Sequence, residues 1–336
     1  MQLDDVVGPD IESSKDFWFS DGNVVLIAED LLQKKDIAFR VHKGVLARHS
    51  AVFRDMFEVP QPNMNEIELH QGLPVVRVSE VAQEIACILE ILYDGGRLFF
   101  DKESTLPFST CISALTLGSK YFLASIRKEA LRRLLITFPT SRTDFNRIIL
   151  APAEHEKPPI EIKDEDAILV VNAAKALDII SVLPSAYYLC AQLPIRQLIN
   201  GVVDDFGKLH RLSPEDLELC LKARDVFPRA QYRALRCLMT KDQVSPDCKH
   251  AATRRCAAAV LHIDPDEWGF PDLQALHDWH WYFKDHVELC SSCQDHFISL
   301  HRGKLDKIWV MLGSMFGVTP WPPNSQVQEP PEMEIT

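Results

Sequence analysis

The chain has 336 residues, of which 46% are hydrophobic and 25% are charged. This apolar content is enough for one large domain or two of ordinary size, and it excludes a disordered chain. The formal net charge of −12 repels phosphate backbones, so we expect no direct nucleic-acid partner.

The sequence contains no run near the roughly 20 apolar residues that a membrane span requires. The acidic residues Asp4, Asp5, Asp10, Glu12 and Asp16 lie in the first 16 positions, whereas a secretory signal begins with positive charge. We therefore predict an intracellular protein, cytoplasmic or nuclear, with no membrane partner. In such a compartment the nine cysteines stay mostly reduced.

The first predicted elements are a buried strand at residues 24–28 and a return strand at residues 37–42, joined by a polar connection at residues 29–36. Residues 45–57 then carry apolar side chains at helical spacing. Because Ser50 interrupts this pattern, the segment is predicted to form one helix or two short ones.

Another strand is predicted at residues 75–78, followed by a helix at residues 81–93 that ends at Asp94-Gly95-Gly96. Two more helical patterns occupy residues 110–122 and 124–136. The first 138 residues therefore predict a compact α+β domain.

Beyond Pro139 the strand signals fade and helical patterns dominate. Helices are predicted at residues 164–177, 183–193, 195–212, 214–226 and 228–239, and they continue to about residue 317. The predicted organisation is a flexible acidic N-terminus (1–16), an α+β domain (17–138), a linker-like stretch (139–163), an all-helical region (164–318) and a Pro-rich disordered tail (319–336).

The N-terminal domain resembles the BTB/POZ family. The matching motifs are Phe-Trp-Phe-Ser-Asp-Gly-Asn-Val-Val-Leu at residues 17–26, a strand ending in His-Lys within residues 39–57, a helix-to-turn Tyr-Asp-Gly-Gly at residues 93–96 and the helix pair at residues 114–134. The resemblance implies a BTB/POZ fold, protein–protein interaction, and homodimerisation through the N-terminal helix and its neighbours.

Two features lengthen the expected connections: the inserted residues 29–36 and the Pro-Gln-Pro segment at residues 60–62. Together with the Leu-Pro-Ser-Ala-Tyr-Tyr motif at residues 183–188, they resemble fungal, basidiomycete-type members with a helical C-terminal region. This is a narrower resemblance than that to the family.

The resemblance also implies two sets of candidate partner-binding residues. Asp21 and Lys43 occupy positions that form a charged pocket in the family; the alternative is a solvated surface pair of little energetic weight. Met64 and Glu66 fit the hydrophobic-x-acidic triplet of members that bind a cullin in ubiquitin ligases, although an ordinary loop explains these residues more simply.

Motifs for catalysis are absent from the sequence: it has neither a Gly-rich phosphate loop followed by Lys-Ser/Thr nor a Gly-x-Ser-x-Gly elbow. We therefore predict no enzyme and no cofactor. The predicted function is a non-catalytic scaffold or adaptor that binds itself or other proteins. The alternatives are a cullin-binding substrate adaptor and a metal- or thiol-dependent enzyme in the C-terminal half.

Three residues in the C-terminal half are candidate zinc ligands: Cys290, Cys293 and His286. The Cys-x-x-Cys spacing is that of half a zinc site, and Cys237, Cys248 and Cys256 lie upstream. The competing interpretation is a single amphipathic helix, since residues 279, 283, 286, 290, 293, 297 and 300 fall on one helical face. The pattern favours this packing stripe, and hence no metal.

Overall fold

The computed structural model describes residues 11–59, 68–151, 157–236, 244–261 and 273–322. They form two compact units. Unit 1 comprises the described residues within Met1–Thr137, His155–Leu177 and Gly201–His210, and unit 2 those within Phe138–Glu154, Asp178–Asn200 and Arg211–Thr336. None of the helices in these ranges combines the length and the apolar character that crossing a membrane requires.

Strands occur in unit 1 and helices in both units, which confirms the predicted α+β class with a helical C-terminal region. The strands are β1 (Ile11–Trp18), β2 (Val24–Asp30), β3 (Lys35–Val41), β4 (Leu69–His70), β5 (Leu73–Val81), β6 (Leu106–Pro107), β7 (Ile160–Glu161), β8 (Val202–Val203) and β9 (Leu209–His210). The helices are α1 (Lys43–His49), α2 (Ala51–Glu58), α3 (Ala82–Tyr93), α4 (Arg97–Phe100), α5 (Phe108–Lys120), α6 (Ala124–Thr137), α7 (Arg142–Phe145), α8 (Asp166–Ala176), α9 (Leu183–Cys190), α10 (Ile195–Asn200), α11 (Pro214–Arg236), α12 (Arg255–Leu261), α13 (His280–Asp285) and α14 (Ser291–Met315).

The main sheet of unit 1 has the strand order β1-β3-β2-β5-β4. Strand β2 lies at its centre because its first five residues are all apolar and buried, a pattern that suits a strand covered on both faces. It pairs antiparallel with β3 and parallel with β5. Strand β1 pairs parallel with β3 and forms one edge of the sheet.

The predicted hairpin of β2 and β3 is present, but its connection is shorter than expected. Glu29 pairs with Asp36, and Asp30 with Lys35, so only four residues remain for the turn. The Asp30 carboxylate holds this turn by accepting hydrogen bonds from the backbone N–H groups of Leu32 (2.9 Å) and Gln33 (3.0 Å). Hydrogen bonds of this kind stabilise a tight turn, so the polar residues next to it can remain paired as strands. The polar character of these residues alone predicts a loop.

Ser50 separates α1 from α2, as its position in the helical pattern indicated. Its extended backbone ends α1, and its Oγ accepts a hydrogen bond from the Phe53 N–H (3.1 Å) at the start of α2. The same hydroxyl donates to the Tyr121 carbonyl oxygen (2.6 Å), beyond the end of α5. Ser50 therefore caps one helix and also satisfies a polar group of another.

Replacing Ser50 by alanine is expected to lower the free energy of unfolding by about 1–3 kcal/mol, since it removes a cap and leaves a carbonyl oxygen without this partner. Chemical denaturation monitored by circular dichroism measures the change. Ser141→Ala is the matched control, because Ser141 caps the short helix α7 at an exposed position. Equal losses from the two substitutions would contradict the role assigned to the buried hydroxyl.

Unit 2 contains α7, α9, α10 and α11 to α14, with a π-helical turn at Asn146–Leu150 and a 3-10 turn at Ile180–Val182. Its core is rich in aromatic side chains. Tyr188 contacts both Phe145 and Phe227, with ring centroids 6.1 and 5.2 Å apart, and the Phe316 ring stacks on Tyr187 at 4.9 Å. These contacts join helices that are distant in the sequence.

Between residues 195 and 236 the predicted and observed helices differ at two places. The helix predicted at residues 195–212 ends at Asn200, where Gly201 takes a positive φ of 82° and the chain enters β8. Over the described residues 214–236, the two helices predicted at residues 214–226 and 228–239 form one helix, α11, which contains Pro228. Residues 237–239 lie outside the described residues. Proline removes one hydrogen bond from a helix interior, and burial of the apolar Phe227, Ala234 and Leu235 side chains on either side of it stabilises the continuous form.

The predicted tail begins with residues that belong to unit 2. Trp321 is buried, its ring lies 4.7 Å from that of Trp309, and its Nε1–H donates to the Ser181 carbonyl oxygen (3.2 Å). Residues 323–336 of the predicted tail lie outside the described residues.

Candidate functional site

A cluster of aromatic and charged side chains surrounds the start of α1 in unit 1. His42 follows β3, and its backbone N–H donates to the Tyr93 hydroxyl (2.9 Å) at the end of α3. The ring nitrogens of His42 contact this same hydroxyl (Nδ1, 3.1 Å) and the Asp21 carboxylate (Nε2, 3.2 Å). Phe19 stacks on the Tyr93 ring, with a centroid separation of 4.7 Å. The turn before β2, the end of β3 and the end of α3 thus meet at one imidazole.

The environment of this cluster shifts two pKa values. The pKa of Asp21 lies below its usual range because its own backbone amide and then the His42 ring hydrogen-bond to the carboxylate. Burial raises the pKa of the Tyr93 hydroxyl. Asp21 is therefore ionised and Tyr93 neutral at physiological pH.

The predicted pairing of Asp21 with Lys43 is not formed. Asp21 pairs with His42, whereas the Lys43 ammonium lies 5.6 Å from the centroid of the Phe57 ring. The Lys43 backbone N–H donates to the Asn23 side-chain oxygen (2.8 Å), which directs the start of α1. Asp21 and Lys43 belong to the same surface, but each contacts a different partner from the one that the resemblance implies.

Met64 and Glu66, the proposed cullin-binding residues, lie outside the described residues, as does the Pro-Gln-Pro segment at residues 60–62. The structure describes a strand, β1, as the first element of unit 1. The N-terminal helix that the resemblance implies is not among the residues that the structure describes.

Unit 1 also contains a cleft of about 330 Å³, lined by residues of β5, α3, α5, α8 and the segment of β8 and β9. Its charges are paired. Glu80 contacts the Lys120 ammonium and accepts a hydrogen bond from the Tyr121 hydroxyl (2.7 Å). Across the cleft, Glu84 lies 3.3 Å from the Lys208 ammonium, and Asp204 lies 2.8 Å from the His210 ring.

Burial and pairing shift the pKa values in this cleft in opposite directions. Burial raises the pKa of Asp166 to about 6. Burial also opposes ionisation of Glu80, but the hydrogen bonds from Lys120 and Tyr121 outweigh it and lower the carboxyl pKa. Since the named cations and carboxylates neutralise one another, we interpret the cleft as the place where residues 157–177 and 201–210 attach to the N-terminal helices.

The structure brings together two of the three candidate zinc ligands and adds two others. The sulfur atoms of Cys248, Cys256, Cys290 and Cys293 in unit 2 all lie within 4.8 Å of one another. His286 is exposed and stacks on the Tyr282 ring at 5.4 Å, away from this group. Cys237 lies outside the described residues.

The competing prediction of one continuous helix is incorrect, although Cys290 and Cys293 do pack in a core cluster with Trp279, Phe283 and Phe297, as that prediction expected. Helix α13 ends at Asp285 and α14 begins at Ser291, so residues 286–290 are not helical. Cys290 has an extended backbone (φ −71°, ψ 158°), and its N–H donates to the Cys256 sulfur (3.3 Å) instead of to a helical carbonyl oxygen. The apolar residues keep helical spacing on both sides of residues 286–290, although the helix itself is interrupted there. The spacing therefore does not reveal the interruption, which depends on tertiary contacts.

Comparison with known families agrees with the geometry of unit 1. Residues 21–130 match the model of the BTB/POZ domain. The match extends from the turn before β2 into α6, and it confirms the resemblance inferred from the motifs. The chain therefore contains a BTB/POZ domain, which is a protein–protein interaction module. No curated protein matches the chain.

His42 and Tyr93 are the site residues that sequence reasoning did not single out. Both occur in motifs used for the family resemblance, as the His of His-Lys and the Tyr before Asp-Gly-Gly. Their separation of 51 positions conceals the contact between them. Only the packing of α3 against the sheet brings the hydroxyl to the imidazole.

Proposed function

We propose that this protein is a non-catalytic scaffold or adaptor that acts through its BTB/POZ domain and forms homodimers. The match of residues 21–130 to a protein–protein interaction module carries this proposal. In the unit 1 cleft Glu80 is paired with Lys120 and Glu84 with Lys208, which supports a packing role for this cleft. The narrower resemblance to fungal members is consistent with this role and stays a prediction.

The surface that we assign to self-association is formed by α1 and α2. Val52 is partly exposed, Met56 is 36% exposed and Val59, just after α2, is 60% exposed. The open edge of the sheet is a poorer candidate because the exposed residues of β1 are all charged (Glu12, Lys15 and Asp16), whereas α2 also exposes the apolar Met56. Association of two copies through an identical apolar patch removes that patch from water on both of them.

Light scattering of the full chain across a dilution series tests this proposal. We expect a dimer that dissociates only at low concentration, and we expect Met56→Glu to raise the dissociation constant at least about tenfold, since a buried charge without a partner is costly. Leu98→Glu is the matched control: Leu98 is 70% exposed in unit 1 but lies on α4.

Two results would contradict the proposal. A wild-type chain that is monomeric at all concentrations would reject homodimerisation. A dimer that Leu98→Glu weakens while Met56→Glu does not would place the interface elsewhere. Circular dichroism of both variants verifies that each has kept its fold.

The cullin-binding alternative stays a prediction, because Met64 and Glu66 lie outside the described residues. Substituting both by alanine should abolish cullin binding and leave dimerisation unchanged. The alternative of a metal- or thiol-dependent enzyme in the C-terminal half concerns the neighbouring cysteines Cys248, Cys256, Cys290 and Cys293.

A further inference from the structure

The four neighbouring cysteines of unit 2 come from separate parts of the chain. Cys248 lies in a turn, Cys256 in the first turn of α12, Cys290 immediately before α14 and Cys293 in its first turn. The spacing is Cys-x7-Cys, then 33 residues, then Cys-x2-Cys. Four thiols that converge from two remote segments are unlike the lone buried cysteines found in protein cores.

The distances between the sulfur atoms match a single tetrahedral ion. Zinc binds cysteine sulfur at about 2.3 Å, and the sulfur atoms of a regular tetrahedron are then about 3.8 Å apart. The observed upper limit of 4.8 Å accommodates this geometry. Iron–sulfur clusters divide their four cysteines between two or more iron atoms, so that sulfur atoms on different irons lie farther apart than around a single ion.

A backbone amide is directed at one of the sulfur atoms. The Cys290 N–H donates a hydrogen bond to the Cys256 sulfur (3.3 Å). Such hydrogen bonds orient thiolate ligands and delocalise their charge, and they are a regular feature of the shell around metal–cysteine sites.

The sulfur atoms lie in a largely apolar environment. Cys256, Cys290 and Cys293 belong to an apolar cluster with Trp279, Phe283 and Phe297. Lys249, next in sequence to Cys248, is exposed and donates to the Ser291 hydroxyl (2.8 Å), whereas Arg255, next to Cys256, is paired with Glu288 (2.7 Å). Four thiolates around one zinc ion carry a net charge of about −2, which the Lys249 ammonium helps to balance.

We propose that Cys248, Cys256, Cys290 and Cys293 bind one zinc ion as a closed structural site. Four protein ligands fill the tetrahedral coordination and leave no position for water or substrate, which is the arrangement of structural sites and not of catalytic ones. The ion would tie the turn and α12 to the start of α14. It accounts for the break between α13 and α14, because Cys290 must leave helical geometry to direct its sulfur to the other three.

Metal analysis of the full chain, purified with a reductant and without added chelator, tests the site. We expect about one zinc per chain. Cys256→Ser and Cys293→Ser should each lower this content at least about fivefold. Cys220→Ala is the matched control, since Cys220 is also a buried unit 2 cysteine but does not belong to the group. It should retain the full zinc content.

A second measurement does not depend on whether the variants fold. Exchange of the wild-type chain into cobalt(II) should produce the intense visible bands of tetrahedral coordination and the near-ultraviolet charge-transfer bands of thiolate ligands. A strong chelator should remove the metal, release four titratable thiols and lower the unfolding temperature.

Four results would overturn the proposal. The first is a reduced, folded chain without bound metal that does not take up cobalt. The second is retention of full zinc content in both serine variants. The third is iron in place of zinc. The fourth is the presence of disulfides among these cysteines in protein purified with a reductant. Alkylation of the free thiols followed by mass spectrometry would detect them.

Discussion

Replacing Arg133 by methionine is expected to lower the free energy of unfolding by about 3–5 kcal/mol, because it leaves buried polar groups without a partner. Arg133 lies on α6 and its side chain is fully buried, with 0% exposure. Its guanidinium donates to the Glu129 carboxylate (2.9 Å), to the carbonyl oxygens of Phe99, Asp101, Ser104 and Pro159, and to the Ser104 hydroxyl.

These contacts explain why the expected effect is large. The planar guanidinium has five N–H donors. They provide hydrogen bonds to the carbonyl oxygens of two separate segments, one at and after the end of α4 and one just before β7. Methionine fills similar space but donates no hydrogen bond. We therefore expect residues 99–104 and 159 to lose their attachment to α6, which hydrogen exchange would detect as faster exchange in those segments.

Arg132→Met is the matched control for this prediction. Arg132 is the next residue on the same helix, and it also contacts Glu129, at 2.8 and 2.7 Å, but its side chain is 32% exposed. A partly exposed pair of this kind is worth about 0–1 kcal/mol. Urea denaturation of both variants measures the difference, and equal losses would show that burial of Arg133 does not have the importance assigned to it.

Acidification is expected to destabilise unit 2 through His301. This side chain on α14 is fully buried, and burial lowers its pKa from 6.5 to about 4. Its Nε2 accepts a hydrogen bond from the Trp279 backbone N–H (3.3 Å). Asp278 and the His277 carbonyl favour the charged form, whereas Arg142 and the His277 ring oppose it. Burial outweighs these contributions, so the imidazole is neutral in the folded protein.

The sign of the pH dependence follows from this lowered pKa. Between pH 6.5 and 4 the unfolded chain binds a proton at His301 that the folded chain does not, so stability is complete above pH 6.5 and decreases as the pH falls. The loss is about 1.4 kcal/mol per pH unit, or about 3 kcal/mol over the whole interval. Thermal unfolding at a series of pH values measures it.

Substitution isolates the contribution of His301. His301→Met should flatten the decrease in stability between pH 6.5 and 4, because the side chain no longer titrates. His296→Met is the control, since it removes another histidine from α14 that is only partly buried. The prediction fails if the wild type and His301→Met lose stability in parallel across this interval.

Local sequence signals predicted most elements of unit 1. The run of apolar, mostly β-branched residues at the start of β2 indicated a central strand, and Ser50 within a helical pattern indicated the boundary between α1 and α2. These signals are reliable because neighbouring residues generate them. The motifs around His42 and Tyr93 likewise indicated the BTB/POZ domain, which the family comparison confirms.

Contacts between remote residues were not predictable in the same way. Apolar periodicity cannot distinguish a continuous helix from two helices whose faces align, so the break at residues 286–290 was not expected. The Cys-x-x-Cys pair indicated half of a metal site. Its proposed completion by Cys248 and Cys256, rather than by His286, depends on how α12 packs beside α14.

The sequence by itself determined the α+β class, the BTB/POZ domain, the central strands and the short helices, because each depends on side chains within a few residues of one another. Only the tertiary structure decided that Arg133 is buried, that Asp21 pairs with His42 and that four cysteines converge. The burial of a charge and the partner of a side chain depend on segments far along the chain, and these become neighbours only when the apolar faces pack together.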